Sequence, residues 1–402
     1  MKSQASLFDT QRLTLKDSIE LTAQSLQAFG MNHRHWAIAY SGGKDSSATV
    51  TVVMYLIESG AIPRPQSLTV LYADTRQEIP PLYFSAMKML GVLDRRGIKT
   101  QVVLPALDDR YFVYMFGRGV PPPNNNTLRW CTPQIKVEPM VEALKALRDE
   151  YGEKFLMLTG VRIGESAMRD QRIALSCGRN GAECGQGWFQ KTTPASVADT
   201  LAPLLHWRVC HVWDWLVFNA PALGFPTNLV AEVYGGEEAQ EMNARTGCIG
   251  CPLVEKDTAL DHIIGLPQWA YLTPLKRLKP LYRELRKFKY RLQKFGERNS
   301  NGLLSGNPNR KGPLTMDARR YGLSVVLGVQ NEINTAAQAQ GKPEIDLINA
   351  DESARIEELI AANTWPRRWT GDEPRGDVLI PLIHQSGVVQ EVLLNHDATA
   401  AP

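Results

Sequence analysis

Apolar residues cluster in short blocks along the chain instead of alternating with polar ones. Residues 36–40 (Trp-Ala-Ile-Ala-Tyr), 68–73 (Leu-Thr-Val-Leu-Tyr-Ala) and 155–159 (Phe-Leu-Met-Leu-Thr) are nearly continuous apolar runs, and a shorter run covers 99–104. Runs of this length without alternation read as strands buried on both faces, as in a parallel sheet. Helically spaced stretches separate them. Leu13, Leu15, Ile19, Leu21, Leu26 and Phe29 fall on one face of residues 8–30, which Gly30 ends, and this helix is expected to cover the sheet edge before the first strand. Helices are also predicted over 48–57 and 83–93. Strand and helix in turn imply βαβ units, hence an α/β fold with a doubly wound, mostly parallel sheet. Leu281, Leu285, Phe288, Leu292 and Phe295 predict a helix over 281–295, in a mainly helical C-terminal extension. The expected organisation is a helical lead-in (1–34), the α/β domain (35–270) and a basic helical segment with an acidic tail (271–402). No internal repeat is visible.

The chemistry concentrates where the first strand meets the next helix: Tyr40-Ser41-Gly42-Gly43-Lys44-Asp45-Ser46-Ser47. Glycines at such a turn let backbone N–H groups approach an anion. The helix N-terminus adds partial positive charge, and hydroxyls and Lys44 add donors. This is a phosphate cradle, and it is not the G-x-x-x-x-G-K-[ST] loop of common triphosphatases. It resembles the SGGxDS loop of the PP-loop ATP pyrophosphatases, which grips the pyrophosphate of ATP while a substrate oxygen attacks the α-phosphorus. That resemblance implies an adenine nucleotide α-hydrolase-like fold, ATP with Mg²⁺, and roles in nucleotide binding or catalysis for residues 40–47, Lys44 and Asp45 above all.

Other strand ends point into the same crevice, because ligands of open parallel sheets sit beyond the carboxyl ends of strands. The second strand ends at Asp74-Thr75 and the fourth at Gly160-Val161-Arg162-Ile163-Gly164-Glu165-Ser166-Ala167-Met168-Arg169. Arg162 and Arg169 suit bidentate phosphate contacts, with Glu165 to orient one of them. A GxR…ES…R run after a strand resembles the same segment of sulfonucleotide (APS/PAPS) reductases and sulfurtransferases. Residues 129–139 resemble the reductase segment whose cysteines bind an iron–sulfur cluster, with Lys136 near the phosphates or the cluster, although Thr132 stands where a second cysteine would be.

The chain has 402 residues, enough for two domains, and six cysteines: Cys131, Cys177, Cys184, Cys210, Cys248 and Cys251. No run is long enough to span a bilayer and no signal-peptide core is present, so a cytoplasmic protein without a disulfide framework is expected. Cys248-Ile249-Gly250-Cys251 is a C-x-x-C flanked by Gly247 and Pro252, which suits thiolate ligation of a metal; alone it fits zinc, redox chemistry or a cluster. With Cys131, and on the fold the resemblance implies, a 4Fe-4S cluster on Cys131, Cys248 and Cys251 is expected. Cys184 is the fourth ligand, or Cys177 in its place, unless one iron stays open. Cys210 lies in an apolar run and reads as core, as do Trp207, Trp213 and Trp215.

Net charge is +3, but it is unevenly spread. Residues 276–320 hold 14 Lys or Arg against three acids, and 344–402 hold 11 acids against four arginines. On the predicted 281–295 helix the basic residues would form a stripe fit for a phosphate backbone, and the acidic tail would fold against it or recruit a partner. SGGKDS, GVRxGES and a late C-x-x-C together most resemble the DNA phosphorothioation sulfurtransferases of the DndC type. The resemblance covers roughly 35–255. It implies an ATP-dependent sulfurtransferase acting on nucleic acid, with DNA as acceptor, a cysteine desulfurase as sulfur donor, other modification-system subunits as partners, and no membrane. The alternatives are a tRNA thiolase of the same chemistry, a true APS/PAPS reductase, and a non-enzymatic scaffold. The reductase is disfavoured because no cysteine follows Cys251 here, and the scaffold because the loop is intact.

Overall fold

The computed structural model describes residues 13–124, 128–164, 194, 196–235, 248–294, 303, 311–378, 381–384 and 386–390. The chain forms two compact units that interleave in sequence. The first comprises Met1–Asp74, Glu78–Leu104 and Lys136–Thr246, and the second Thr75–Gln77, Pro105–Ile135 and Gly247–Pro402. The sequence reading instead cuts the chain into three consecutive stretches.

The first unit is the α/β domain. Its described elements run α1 (Leu15–Ser25), β1 (His35–Tyr40), α2 (Lys44–Glu58), β2 (Ser67–Ala73), α3 (Pro80–Arg95), β3 (Lys99–Val103), α4 (Glu138–Tyr151), β4 (Phe155–Leu158), β5 (Ala198–Leu201), α5 (Val209–Asp214) and α6 (Asn228–Val233). All five strands are parallel, in the order β3-β2-β1-β4-β5. The chain winds outward from β1 through β2 to β3, then returns to place β4 on the other side of β1. The reversal lies between β1 and β4, where such sheets open a crevice at their carboxyl ends. Continuous apolar strands are buried as their composition requires: Trp36, Ala37, Ile38, Leu71, Tyr72, Phe155, Leu156 and Leu158 are at most 2% exposed. β5 escapes the hydrophobic pattern because Asp199 and Thr200 interrupt it.

The N-terminal helix is anchored just beyond the end of the edge strand β5, where Thr22 Oγ1 donates to the Pro203 carbonyl at 3.2 Å. α1 packs on α5, with Ser18 Oγ 3.0 Å from His211 Nδ1 and Thr22 Oγ1 accepting from Trp207 Nε1 at 2.9 Å. Trp207, Trp213 and Trp215 are core residues as expected. Cys210 is only half-buried, because α5 turns His211, Val212 and Trp213 inward instead.

The second unit is mainly helical: α7 (Thr258–Gly265), α8 (Leu278–Glu284), α9 (Met316–Gln340) and α10 (Ala350–Ala361), with a small antiparallel pair, β6 (Leu382–Ile383) and β7 (Val389–Gln390). The 281–295 helix does not form as one piece. α8 ends at Glu284 and the chain turns extended at Lys287. Arg291 and Leu292 then bridge to Leu314 and Arg375. The basic side chains are drawn inward with it: Arg291 donates to the carbonyls of Lys311 and Gly312, and Arg286 to that of Pro123. Among the described residues, the basic side chains of this stretch therefore do not line one continuous helix. The acidic tail does fold on this segment, with Lys294 3.5 Å from Glu373 and over the ring of Trp369. No helix among the described residues is long and apolar enough to cross a membrane.

Candidate nucleotide cradle and cysteine cluster

The loop after β1 enters α2 earlier than its apolar pattern indicates, so Lys44, Asp45, Ser46 and Ser47 form the first helical turn. Gly42 takes φ +73°, a left-handed conformation that favours glycine. Gly43 is the N-cap and supplies no side-chain cap, which leaves first-turn N–H groups for an anion. A Cβ on Gly43 would fall 3.3 Å from the Tyr234 hydroxyl, so a side chain there would crowd the cradle. Ser46 braces the loop: its Oγ accepts from the Ser41 N–H at 3.2 Å, lies 3.2 Å from Ser41 Oγ, and donates to the Gly43 carbonyl at 3.0 Å.

Asp45 is held from two sides. Arg162 Nε donates to its Oδ1 at 2.5 Å, and Lys44 Nζ lies 3.1 Å from its Oδ2. Arg162 also donates from Nη1 to the Trp207 carbonyl at 3.1 Å and is 2% exposed. The bidentate phosphate grip expected of Arg162 is thus not what these nitrogens do: they tie the end of β4 to α2. Gly160 makes that approach possible, since a Cβ there would sit 2.8 Å from Asp45 C and Ser46 N. Tyr234 also belongs to the cradle: its ring lies 5.2 Å from Lys44 Nζ and packs on Trp213. A lone aromatic in a polar stretch carries no signal of that role.

Tyr40 is buried, 1% exposed, with its ring 5.7 Å from that of Tyr72. Asp74 is buried at the end of β2, where its N–H donates to the Val103 carbonyl at 3.0 Å. Thr75 is buried and opens the short segment assigned to the second unit. Lys136 is exposed. Glu165, Arg169, Cys177 and Cys184 lie outside the described residues.

In the second unit, Cys248 and Cys251 sit on one turn, with the Cys251 N–H donating to the Cys248 carbonyl at 3.1 Å. Gly250 has φ +61° and packs against Leu278, Lys279 and Tyr282 of α8. The Ile249 N–H donates to the Gln77 carbonyl at 2.8 Å, a second tether of the turn. Burial, and then the nearby Cys251 thiol, push the Cys131 thiol up. Burial pushes the Tyr111 hydroxyl well up too, and Tyr282, Cys131, Cys248 and Cys251 add to the effect. All three cysteines therefore stand within electrostatic reach of one tyrosine. Among the described residues, no three His, Cys, Asp or Glu side chains gather tightly enough for a single metal ion. Thiols such as those of Cys131, Cys248 and Cys251 are donors that either a zinc ion or an iron–sulfur cluster takes.

Residues 35–221 match the family model of the phosphoadenosine phosphosulfate reductase domain. That match covers a little under half of the chain. Two uncharacterized proteins of Methanocaldococcus jannaschii are similar to the chain, one 25% identical over 222 residues and the other 24% over 219. These alignments cover 55% and 54% of this chain but only 42% and 36% of the relatives. Among solved structures, a U34-tRNA thiolase from Methanococcus maripaludis with its 4Fe-4S cluster gives a TM-score of 0.33 at 13% identity, covering 57% of this chain and 76% of that one. An FMN adenylyltransferase from Candida glabrata gives 0.31 at 16%, covering 53% and 60%.

Proposed function

We propose that the chain is an ATP-dependent sulfurtransferase subunit that places sulfur in nucleic acid, with the DNA backbone as acceptor. The observation that carries this reading is the glycine-built N-terminus of α2, without a side-chain cap, at the switch point of a PAPS-reductase-like domain. The pyrophosphate of ATP would lie on the first-turn N–H groups, with Ser41 and Lys44 beside it, and Mg²⁺ would supply further charge neutralisation. An oxygen of the nucleic acid attacks the α-phosphorus. The bond to pyrophosphate breaks, and the acceptor is left adenylylated. The terminal sulfur of a persulfide delivered by a cysteine desulfurase then attacks and expels AMP, and a thiol reductant cleaves the resulting S–S bond, which leaves sulfur on the acceptor and the carrier cysteine in a disulfide with the reductant. Positioning and charge neutralisation supply most of the rate. Asp45 and Arg162 act by positioning Lys44 and the loop.

Cys131, Cys248 and Cys251 would hold a 4Fe-4S cluster in this reading, and the cluster would supply a site for sulfur or redox chemistry. The choice of nucleic acid as acceptor is supported by the combined motifs and by exposed Arg283, Lys287 and Arg320 in the second unit. The test supplies ATP, a cysteine desulfurase, a thiol reductant and ³⁵S-labelled cysteine with either DNA or tRNA. Label in the DNA backbone, dependent on ATP and lost in Lys44→Ala, is the expected result. Label in a tRNA base moves the acceptor to tRNA. Sulfite released from a sulfonucleotide, with neither acceptor labelled, overturns the proposal in favour of a reductase.

A further inference from the structure

Two tyrosines bridge the cysteine-bearing segments of the second unit. Tyr111 packs on Trp130, the residue before Cys131, with ring centres 5.2 Å apart, and on Tyr282 at 5.8 Å. Tyr282 lies against the C-x-x-C turn: a Cβ on Gly250 would fall 3.2 Å from its Cε2, the ring carbon next to the one bearing the hydroxyl. Tyr111 is 5% exposed and Tyr282 0%. The hydroxyl oxygen of each is buried without a hydrogen-bond partner, as is Arg286 Nε, which lies within electrostatic reach of Tyr111 and Cys251. Buried hydroxyls in folded proteins are nearly always bonded, and an orphan beside a ligand site points to the ligand as the missing acceptor. Here Tyr111 lies within electrostatic reach of Cys131, Cys248 and Cys251, and Tyr282 of Cys248 and Cys251.

We propose that Tyr111 and Tyr282 donate their O–H groups to the sulfur atoms of a cluster held by Cys131, Cys248 and Cys251, and thereby raise its reduction potential. The inference rests on the cluster reading above. Donors to cluster sulfur draw electron density away and favour the more negative, reduced state. Neither tyrosine would ligate iron; each positions and tunes.

The test compares anaerobically reconstituted full-length wild type with Tyr111→Phe and Tyr282→Phe. Iron per chain, midpoint potential, and melting temperature with and without iron are measured. The expected variants keep their iron and show a more negative potential, while their iron-free forms melt at or above the wild-type temperature because a buried orphan is gone. Iron loss from variants whose iron-free form melts normally also supports the proposal, since the hydroxyls then retain the cluster. Full iron with an unchanged potential overturns it and leaves the cluster intact. Iron-free variants that melt well below wild type overturn it in favour of a packing role. A wild type that takes up no iron removes the cluster reading itself, and the proposal with it.

Discussion

Arg162 Nε lies 2.5 Å from Asp45 Oδ1, linking the residue after the fourth strand's loop to the first turn of the helix that begins the cradle. Both partners are largely buried, and Arg162 spends a second nitrogen on the Trp207 carbonyl. Removing the guanidinium leaves a carboxylate in a confined site with Lys44 as its remaining cationic partner. Arg162→Ala is expected to cost about 3–5 kcal/mol of stability, as breaking buried pairs does. Denaturant titration measures this. Asp45→Asn keeps an acceptor for Arg162 and should cost less, and additive losses in the double variant would show that the two side chains do not act together.

Gly160 is a packing residue of the cradle. Its α-carbon faces backbone atoms of Asp45 and Ser46, which cannot swing away as a flexible side chain would. Gly160→Ala should cost about 1–3 kcal/mol, as overpacking does, and should weaken ATP binding at least several-fold by calorimetry. Gly91 is the control. It lies inside α3 with only the tip of Arg95 nearby. Gly91→Ala should leave ATP binding unchanged and stabilise by about 0.5–1 kcal/mol, the helical preference for alanine over glycine.

The docking of α1 carries a pH dependence. His206 Nε2 donates to the Ser18 carbonyl at 3.0 Å, and His211 packs its Nδ1 on the Ser18 hydroxyl. Burial holds both imidazoles below the ordinary histidine range; His211 adds to this at His206, and Arg208 at His211. Asp214 and Asp17 oppose it at His211 but do not reverse it. The folded state keeps them neutral, while the unfolded chain takes up protons near pH 6.5. Stability from these sites is full above that pH and is lost as pH falls below it. Melting temperature between pH 7.5 and 5.5 should drop, and the drop should shrink in His206→Gln.

Cys248→Ser and Cys251→Ser should each abolish the brown colour of anaerobically prepared protein and most of its bound iron. Cys210→Ser, on α5 of the other unit, should leave both unchanged. One zinc in place of iron would move the C-x-x-C to a structural role.

The sheet was legible because buried parallel strands are apolar throughout, and β1, β2 and β4 announce themselves that way. β5 was not, because Asp199 spends its carboxylate on His33 and Lys154 and breaks the run. The cradle residues were readable as a motif, yet the partner of Asp45 was not, since contact between residues 117 positions apart leaves no local pattern. The 281–295 stretch shows the converse failure. Its apolar spacing is helical, but Arg291 gains carbonyl acceptors and Leu292 a strand partner by leaving the helix. Tyr111 and Tyr282 had no signal either: a buried tyrosine looks like any core aromatic until its hydroxyl is found without a partner.

On the proposed function, ATP held by the 41–47 loop is cleaved between its α- and β-phosphates. The most direct measurement incubates the protein with ATP, Mg²⁺ and nucleic acid and separates the products by ion exchange. AMP, or an adenylylated acceptor, with an equal amount of pyrophosphate is the predicted result, falling at least 100-fold in Lys44→Ala, about what loss of one oxyanion-stabilising donor costs. ADP with inorganic phosphate, or turnover indifferent to Lys44, would contradict it.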